Sequence, residues 1–513
     1  MNLREEQRMK VIAFDLGTGG IKASLYDERL QRLNFCFHEY ETFFPKPGWH
    51  EQRPQDWWNG VKVCTQQLLA EADVEVEEIA AIALSGHSLV AVPMDAQGKC
   101  LADSVPIWSD MRAEEEAGAF FEKIEQEEWY MTTGNGFPPA TYTIFKLAWM
   151  KKYQPEIWKQ TKTVLGSKDY VNYLLTGEMA VDESYLSGCG AYNLREHRLE
   201  QKFLDAAGVP SEIFPKMIAS HEIVGRVSAE AAKETGFAKG TLVACGGVDN
   251  ACMALGAVGC TEGRTYVSLG TSSWIPVNTK EPLLDVKRKP YVFAHIEEGM
   301  YTSAMSIFSG GNSFRWVRDV MSEKEEKLSY DELTEQATHS VPGAHGVLFH
   351  PALSGGSSQD KSPNIRGAFL NLELSDKRED LIRATLEGIT MNLKTVYDFL
   401  SEKVPLEDDL IICGGGSRSD FWMQLFADIF DTDIRRTNVD QDAASLGAAA
   451  IAARGAGLIT DYRVLEQAVK TQAVYHPNEE NSRFYHKHKK IFDYAADMLS
   501  DFGDFYRREQ KKF

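Results

Sequence analysis

The chain carries one strand–turn unit twice. Val11-Ile12-Ala13-Phe14 reads as a buried strand and leads into Asp15-Leu16-Gly17-Thr18-Gly19-Gly20-Ile21-Lys22. Thr265-Tyr266-Val267 leads likewise into Ser268-Leu269-Gly270-Thr271-Ser272-Ser273. Both turns are Leu-Gly-Thr, and only the first opens on an acid. Glycines let backbone N–H groups close on a phosphate. Thr18 adds a hydroxyl donor, and Lys22 can neutralise phosphate charge. Asp15, at a strand end, offers an oxygen ligand to hydrated Mg²⁺. Two such loops could grip a nucleotide from opposite sides with a single acid between them. Either loop alone could equally be an ordinary hairpin turn, and the repetition is what favours phosphate. The candidate nucleotide contacts are therefore Gly17, Thr18, Gly19, Lys22, Gly270, Thr271 and Ser272, with Asp15 as the candidate metal ligand.

Asp249 follows the strand Thr241–Cys245 and two glycines, with Asn250 next and a small-residue helix, Ala251–Val258, after it. A carboxylate there can take the proton of a substrate hydroxyl as that oxygen attacks phosphorus. An Asp before a helix can also simply cap it. Gly414-Gly415-Gly416 after the strand Leu410–Cys413 suits close backbone approach to a flat or anionic ligand, or a turn needing positive φ. Gly310-Gly311 could lie beside the same ligand. Trp108, Asp110 and Arg112 suit a polyol, with a flat apolar wall and charge-assisted bonds to hydroxyls. They could also be a surface ion pair beside a core Trp. His87 and Ser88 end a comparable strand and are placed at the same pocket.

Two familiar nucleotide motifs fail. No GxxxxGK[ST] occurs. The first loop begins like GxGxxG but puts Lys22 at the third glycine, after a strand ending in an acid.

A chain of 513 residues has core enough for two to four domains. A net charge of −20 argues against a nucleic-acid surface. The eight cysteines show no CxxC and no zinc spacing, which points to buried thiols in a reducing compartment. Met1 to Met9 lacks an apolar core for a signal peptide, and no run of about twenty apolar residues could span a membrane. The expected location is the cytoplasm, with no membrane or nucleic-acid partner, and a homodimer stays open.

Helices are expected over Trp57–Ala70, Phe145–Tyr153, Ala443–Ala453, and from Phe314 and Phe492 onward. Ile382, Leu386, Ile389, Leu393, Val396 and Leu400 mark one face of a long buried helix. Glu78–Leu84 and Val90–Met94 read as strands, and the stretch His345–Phe369 as irregular. The domain boundary falls at 255/256, giving an N-terminal domain of 1–255 and a C-terminal domain of 256–513 around a cleft.

Taken together, Asp15-Leu16-Gly17-Thr18, Trp108-Ser109-Asp110-Met111-Arg112, Gly246-Gly247-Val248-Asp249-Asn250, Ser268-Leu269-Gly270-Thr271-Ser272, Arg366-Gly367-Ala368-Phe369 and Gly414-Gly415-Gly416-Ser417 resemble, in order, the motifs of the FGGY family of carbohydrate kinases. Lys168-Asp169-Tyr170 with Leu175-Thr176-Gly177-Glu178 resembles a further family segment. The resemblance implies an α/β fold of two actin-like ATPase (ribonuclease H-like) domains, with mixed sheets flanking a nucleotide cleft. It implies ATP and Mg²⁺, the metal near Asp15 and the catalytic base at Asp249. Phosphate contacts fall on Thr18, Gly270 and Thr271. Nucleoside contacts fall on Gly310, Gly311, Gly414, Gly415 and Ser419. The sugar falls on His87, Ser88, Asp110, Arg112 and Asp249. Within the family the Trp-x-Asp-x-Arg and Gly-Gly-x-Asp-Asn runs are most similar to xylulokinases. His87-Ser88-Leu89-Val90 stands where those carry Gln-Met-His-Gly, and Asn371 stands where glycine is usual. The expected activity is phosphorylation of a primary hydroxyl of a small ketose or polyol, with xylulose foremost. Ribulose, gluconate, a tetrulose, glycerol, or an actin-like ATPase without kinase activity are the alternatives.

Overall fold

The computed structural model describes residues 10–72, 74–322 and 327–510. The reading of Met1–Met9 as free of a signal peptide lies outside them. The chain forms two units interleaved in sequence. The first comprises Met1–Cys260, Lys280–Thr302 and Asp442–Val469, and the second Thr261–Thr279, Ser303–Gln441 and Lys470–Phe513.

In the first unit the strands β1 (Lys10–Leu16), β2 (Gly20–Tyr26), β3 (Arg32–Glu39), β4 (Ile79–Gly86), β5 (Ile223–Arg226) and β6 (Leu242–Ala244) lie in the order β5-β6-β4-β1-β2-β3. β1 runs antiparallel to β2 and parallel to β4, and β6 is parallel to β4. Ile12, Phe14, Ile82 and Leu84 are fully buried, as central strands covered on both faces require. One cover is the helix Pro54–Glu71, which puts Trp57, Val61, Cys64 and Leu68 into the core. Another comes from far along the chain. The helix Ala443–Gly455 packs on β1 and β4 and against the helix Asp249–Val258. A Cβ on Gly256 would sit 1.9 Å from the Ala443 carbonyl oxygen, and one on Gly447 would sit 2.0 Å from that of Cys252. The small residues of both helices thus let their backbones touch.

The second unit repeats the plan. Its strands β7 (Tyr266–Leu269), β8 (Ser273–Thr279), β9 (Tyr301–Ile307), β10 (Asp409–Cys413), β11 (Asp433–Thr437) and β12 (Thr471–Tyr475) lie in the order β9-β8-β7-β10-β11-β12. β7 is antiparallel to β8 and parallel to β10, and β10 is parallel to β11. Register repeats too: Asp15 pairs with Ser85 and Ser268 with Cys413. The two Leu-Gly-Thr turns are the same corner of two equivalent sheets.

Most expected elements appear, some longer than the patterning suggests. The long buried helix spans Arg378–Lys403 and the C-terminal one Glu479–Gln510. The stretch expected to be irregular holds a strand pair, Leu348–His350 with Ala368–Leu370. Asn371, where the resemblance leads one to expect glycine, takes φ 59° and donates from its side-chain amide to the Gly346 carbonyl at 3.1 Å. Asn tolerates the left-handed region better than other side chains, which explains the exchange.

Candidate active site

The first turn is held by side chains. Gly17 N–H closes it on the Gly20 carbonyl at 2.9 Å. The Tyr40 hydroxyl donates to the Gly17 carbonyl at 2.6 Å. Thr42 and Gln52 donate to the Thr18 carbonyl at 2.9 and 2.8 Å. Thr18 and Gly19 are exposed at the tip. The Trp108 indole donates to the Thr18 hydroxyl at 3.1 Å, which joins the candidate polyol wall to the candidate phosphate loop. Lys22 sits on Asp442 at 3.1 Å, and Arg32 pairs with the same carboxylate.

Asp15 accepts a hydrogen bond from the Ser85 hydroxyl at 2.8 Å. Burial raises its pKa, partly offset by Ser85 and Lys22. Asp249 opens its helix as the first helical residue, with Val248 as the N-cap, so it is not the cap that an Asp in this position often is. Its carboxylate is partly buried, and burial, then the charge of Asp15, push its pKa up to about 7. The backbone N–H groups of Asn250 and Ser88 oppose that rise. Ser88 and Asn250 also face the Tyr291 side chain, opposing the rise in its pKa that burial and the Asp249 charge impose. Asp15, Ser88, Asp249, Asn250 and Tyr291 therefore share one polar locus of the first unit.

The approach to Asp249 is clamped. Lys168 is fully buried, lies 2.9 Å from Asp182 and donates to the Cys245 carbonyl at 3.2 Å. The Asn172 amide donates to that carbonyl at 2.8 Å. The Ser184 hydroxyl donates to Asp182 and accepts the Val248 N–H at 2.9 Å. Gly246 takes φ 77° with the Leu84 carbonyl oxygen 2.1 Å from where a Cβ would be, so no other residue fits there.

The remaining sequence candidates in this unit divide. Asp110 and Arg112 do not form a surface pair. Asp110 is fully buried, and the Arg112 side chain is 2% exposed. Arg112 Nε and Nη2 each donate to Asp110 at 2.8 Å, and Nη2 also donates to Glu51 at 2.6 Å. The guanidinium stacks over Trp49 at 3.9 Å. Trp108, conversely, is 40% exposed and not a core residue. His87 is buried, lies 6.1 Å from the Trp57 ring, and has its pKa lowered to about 4 by burial. Leu89 takes a left-handed φ of 63° although buried, and its carbonyl accepts from the buried Lys146 ammonium at 3.0 Å. Lys146 also bonds the Ile107 carbonyl at 2.7 Å, and burial lowers its pKa to about 7.

In the second unit Thr271 and Ser272 are exposed, and backbone bonds fix their turn. Gly311 N–H donates to the Gly270 carbonyl at 2.8 Å, and Asn312 N–H to the Thr271 carbonyl at 2.9 Å. Gly310 is the N-cap of the helix Gly311–Met321. Gly414 takes φ 100° against the β7 backbone, and Gly415-Gly416 begin a 3₁₀ turn. Ser419 caps the next helix, accepting the Trp422 N–H at 3.2 Å. Gly270, Thr271, Gly311, Gly415, Gly416 and Ser419 line one cavity of about 530 Å³, within the roughly 300–1,000 Å³ of small-ligand pockets. Asn312, Phe314, Arg315, Tyr330, Asp331, Arg418 and Gln441 also line it. None of these carries a local sequence signal. Tyr291, Lys146, Gln52 and Ser184 were equally silent, because each gains its role only through folding.

The chain matches the models of the FGGY family of carbohydrate kinases, the N-terminal domain over residues 10–256 and the C-terminal domain over 265–456. It is 29% identical over 499 residues to a xylulose kinase of Bacillus subtilis, covering 96% of this chain and 97% of that protein. It is 28% identical over 490 residues to a gluconokinase of Bacillus licheniformis, covering 94% of each. In fold it is similar to a gluconate kinase of Lactobacillus acidophilus, with a TM-score of 0.89, 24% identity, and 97% and 99% of the two chains covered.

Proposed function

This chain belongs to the FGGY family of carbohydrate kinases, and from that premise we propose that it transfers the γ-phosphoryl group of ATP to a primary hydroxyl of a small ketose or polyol, with a ketopentose such as xylulose as the acceptor. Sugar phosphorylation and the use of ATP follow from the family; the acceptor and the residue roles are our reading. The observation that carries it is the setting of the Asp249 carboxyl, the first residue of its helix, in one polar locus with Asp15, Ser88, Asn250 and Tyr291, where burial raises its pKa.

Asp249 orients the acceptor hydroxyl and takes its proton. That oxygen bonds to the γ-phosphorus as the bond to the β-bridging oxygen breaks and ADP leaves. A base titrating near neutrality is matched to this task. Ser88, Asn250 and Tyr291 position the acceptor, with Trp108 as its wall. Asp110 and Arg112, locked to each other, shape that wall from behind. Gly270, Thr271 and Ser272 cradle phosphate, and the cavity walled by Gly311, Gly415, Gly416 and Ser419 takes the nucleoside.

Asp15 fits Mg²⁺ as a hard oxygen donor, with one of its oxygens engaged by Ser85. No group of three or more His, Cys, Asp or Glu able to hold a metal exists among the described residues. Asp15 is the residue that would hold the cation. When bound it supplies neutralisation of phosphate charge.

A sugar acid is the second reading, favoured by the 28% identity to a gluconokinase beside the 29% to a xylulose kinase. Coupled ADP release across D-xylulose, L-xylulose, D-ribulose, gluconate, glycerol and pentitols decides. D-xylulose is expected to give the highest kcat/KM. Gluconate turned over with ketopentoses inert would overturn the ketopentose assignment.

A further inference from the structure

Asp249 stands at a joint between a strand and a helix. Gly247-Val248 is a two-residue strand that pairs in parallel with Ser85-Gly86, the end of β4. Asp249 opens the helix that follows. Side chains supply the further bonds of this short strand and its approach. The Val248 N–H donates to the Ser184 hydroxyl at 2.9 Å. The Cys245 carbonyl, three residues earlier, accepts from Lys168 and Asn172. Ser184 is itself fixed. Its hydroxyl donates to Asp182, which also accepts the Ser184 N–H at 3.0 Å and the Ser220 hydroxyl at 2.9 Å. Asp182 is the N-cap of the helix Glu183–Ser187 and lies 2.9 Å from the Lys168 ammonium. Lys168, Asp182 and Ser184 are all buried, and bonds to ionised groups are the strong ones. At the other end of the same helix the Ser187 hydroxyl accepts the Ala294 N–H at 3.1 Å. Ala294 ends the strand that Tyr291 begins. One short helix is therefore bonded both to the residue before Asp249 and to the strand that carries Tyr291.

We propose that Ser184, backed by Asp182 and Lys168, is a positioning residue for phosphoryl transfer. Through the Val248 N–H it sets the direction from which the Asp249 carboxylate meets the acceptor hydroxyl. This rests on the reading of Asp249 as the base. Ser184 touches neither nucleotide nor acceptor in this role; it supplies geometry at the joint, where rotation of the Val248–Asp249 peptide would swing the carboxylate. A misplacement of about 1 Å can cost about 10²-fold in rate.

A double-mutant cycle tests this on the full chain. ADP release with the acceptor of highest kcat/KM is measured for the wild type, Ser184→Ala, Asp249→Ala and the two combined. Ser184→Ala is expected to lower kcat about ten- to a hundredfold with the KM values for ATP and acceptor unchanged, the pattern of an interaction realised in the transition state. In the Asp249→Ala background the same substitution is expected to leave kcat unchanged, because the group it aims is gone. Ser184→Cys keeps a weaker acceptor at the same place and is expected to fall between; it carries the cycle if Ser184→Ala fails to fold. A wild-type kcat in Ser184→Ala, or equal losses with and without the Asp249 carboxylate, would overturn the positioning role and leave Asp249 as the base. A near-wild-type rate in Asp249→Ala would instead remove the base, and this proposal with it.

Discussion

The two Leu-Gly-Thr turns occupy equivalent corners of equivalent sheets, yet they are secured differently. The first is tied by side chains from elsewhere in its unit: Tyr40, Thr42, Gln52 and Trp108. The second is tied by backbone, through the N–H groups of Gly311 and Asn312 at the start of a helix. The first opens on Asp15 and belongs to the unit that holds Asp249. The second opens on Ser268 and lines a cavity. One corner thus carries an acid and is braced by a lattice of side chains, while the other is braced by the backbone of the helix that follows it. On the proposed reading, one fold used twice is divided between a chemical half and a cradling half.

The contrast can be broken at each end. The largest effect is expected from the chemical half: Asp249→Ala should lower kcat by about 10²–10⁴ with the melt retained, read by sugar-dependent ADP release. A near-wild-type rate would remove Asp249 as the base. In the cradling half, a Cβ at residue 311 would stand 2.4 Å from the Gly270 carbonyl oxygen. Gly311→Ala should displace the turn and cost up to about 10²-fold in kcat/KM for ATP with the sugar KM unchanged. An equal loss for both substrates would show that the turn does not serve the nucleotide alone. Smallest is Gln52→Ala in the first lattice. It strands the buried Trp57 indole N–H, which Gln52 accepts at 2.9 Å, and should cost about 1–3 kcal/mol in denaturant unfolding. No change in the unfolding midpoint would mean that the side-chain lattice is slack.

The same difference explains what could be read from the linear chain. Short-range patterns were legible: the repeated turn, the strand into Asp249, and the seven-turn helix Arg378–Lys403 from its apolar spacing. The positive φ offered as one reading of the Gly414-Gly415-Gly416 run was legible too, since Gly414 takes it. Long-range partnerships were not. Trp108, Asp110 and Arg112 suit a polyol site or a surface ion pair beside a core Trp, and the linear pattern does not separate the two; in the fold Trp108 is exposed, while Asp110 and Arg112 are buried. What buries the pair is the company of Trp49, Glu51 and His50, about sixty residues earlier. Nor does local pattern reveal that Ala443–Gly455 folds with the first unit, because small-residue packing has no partner until the chain returns.

The central claim is that burial, and next the charge of Asp15, make Asp249 basic enough to accept a proton at neutral pH. Carbon-13 titration of its carboxyl tests that directly, in the wild type and in Asp15→Asn. A midpoint near 7 is expected in the wild type, and a lower one once the Asp15 charge is gone, since a neighbouring anion disfavours ionisation. Because the folded state then holds its proton above the ordinary carboxyl range, stability should fall as pH rises from about 4 to 7. A midpoint near 4 in both proteins would contradict the account.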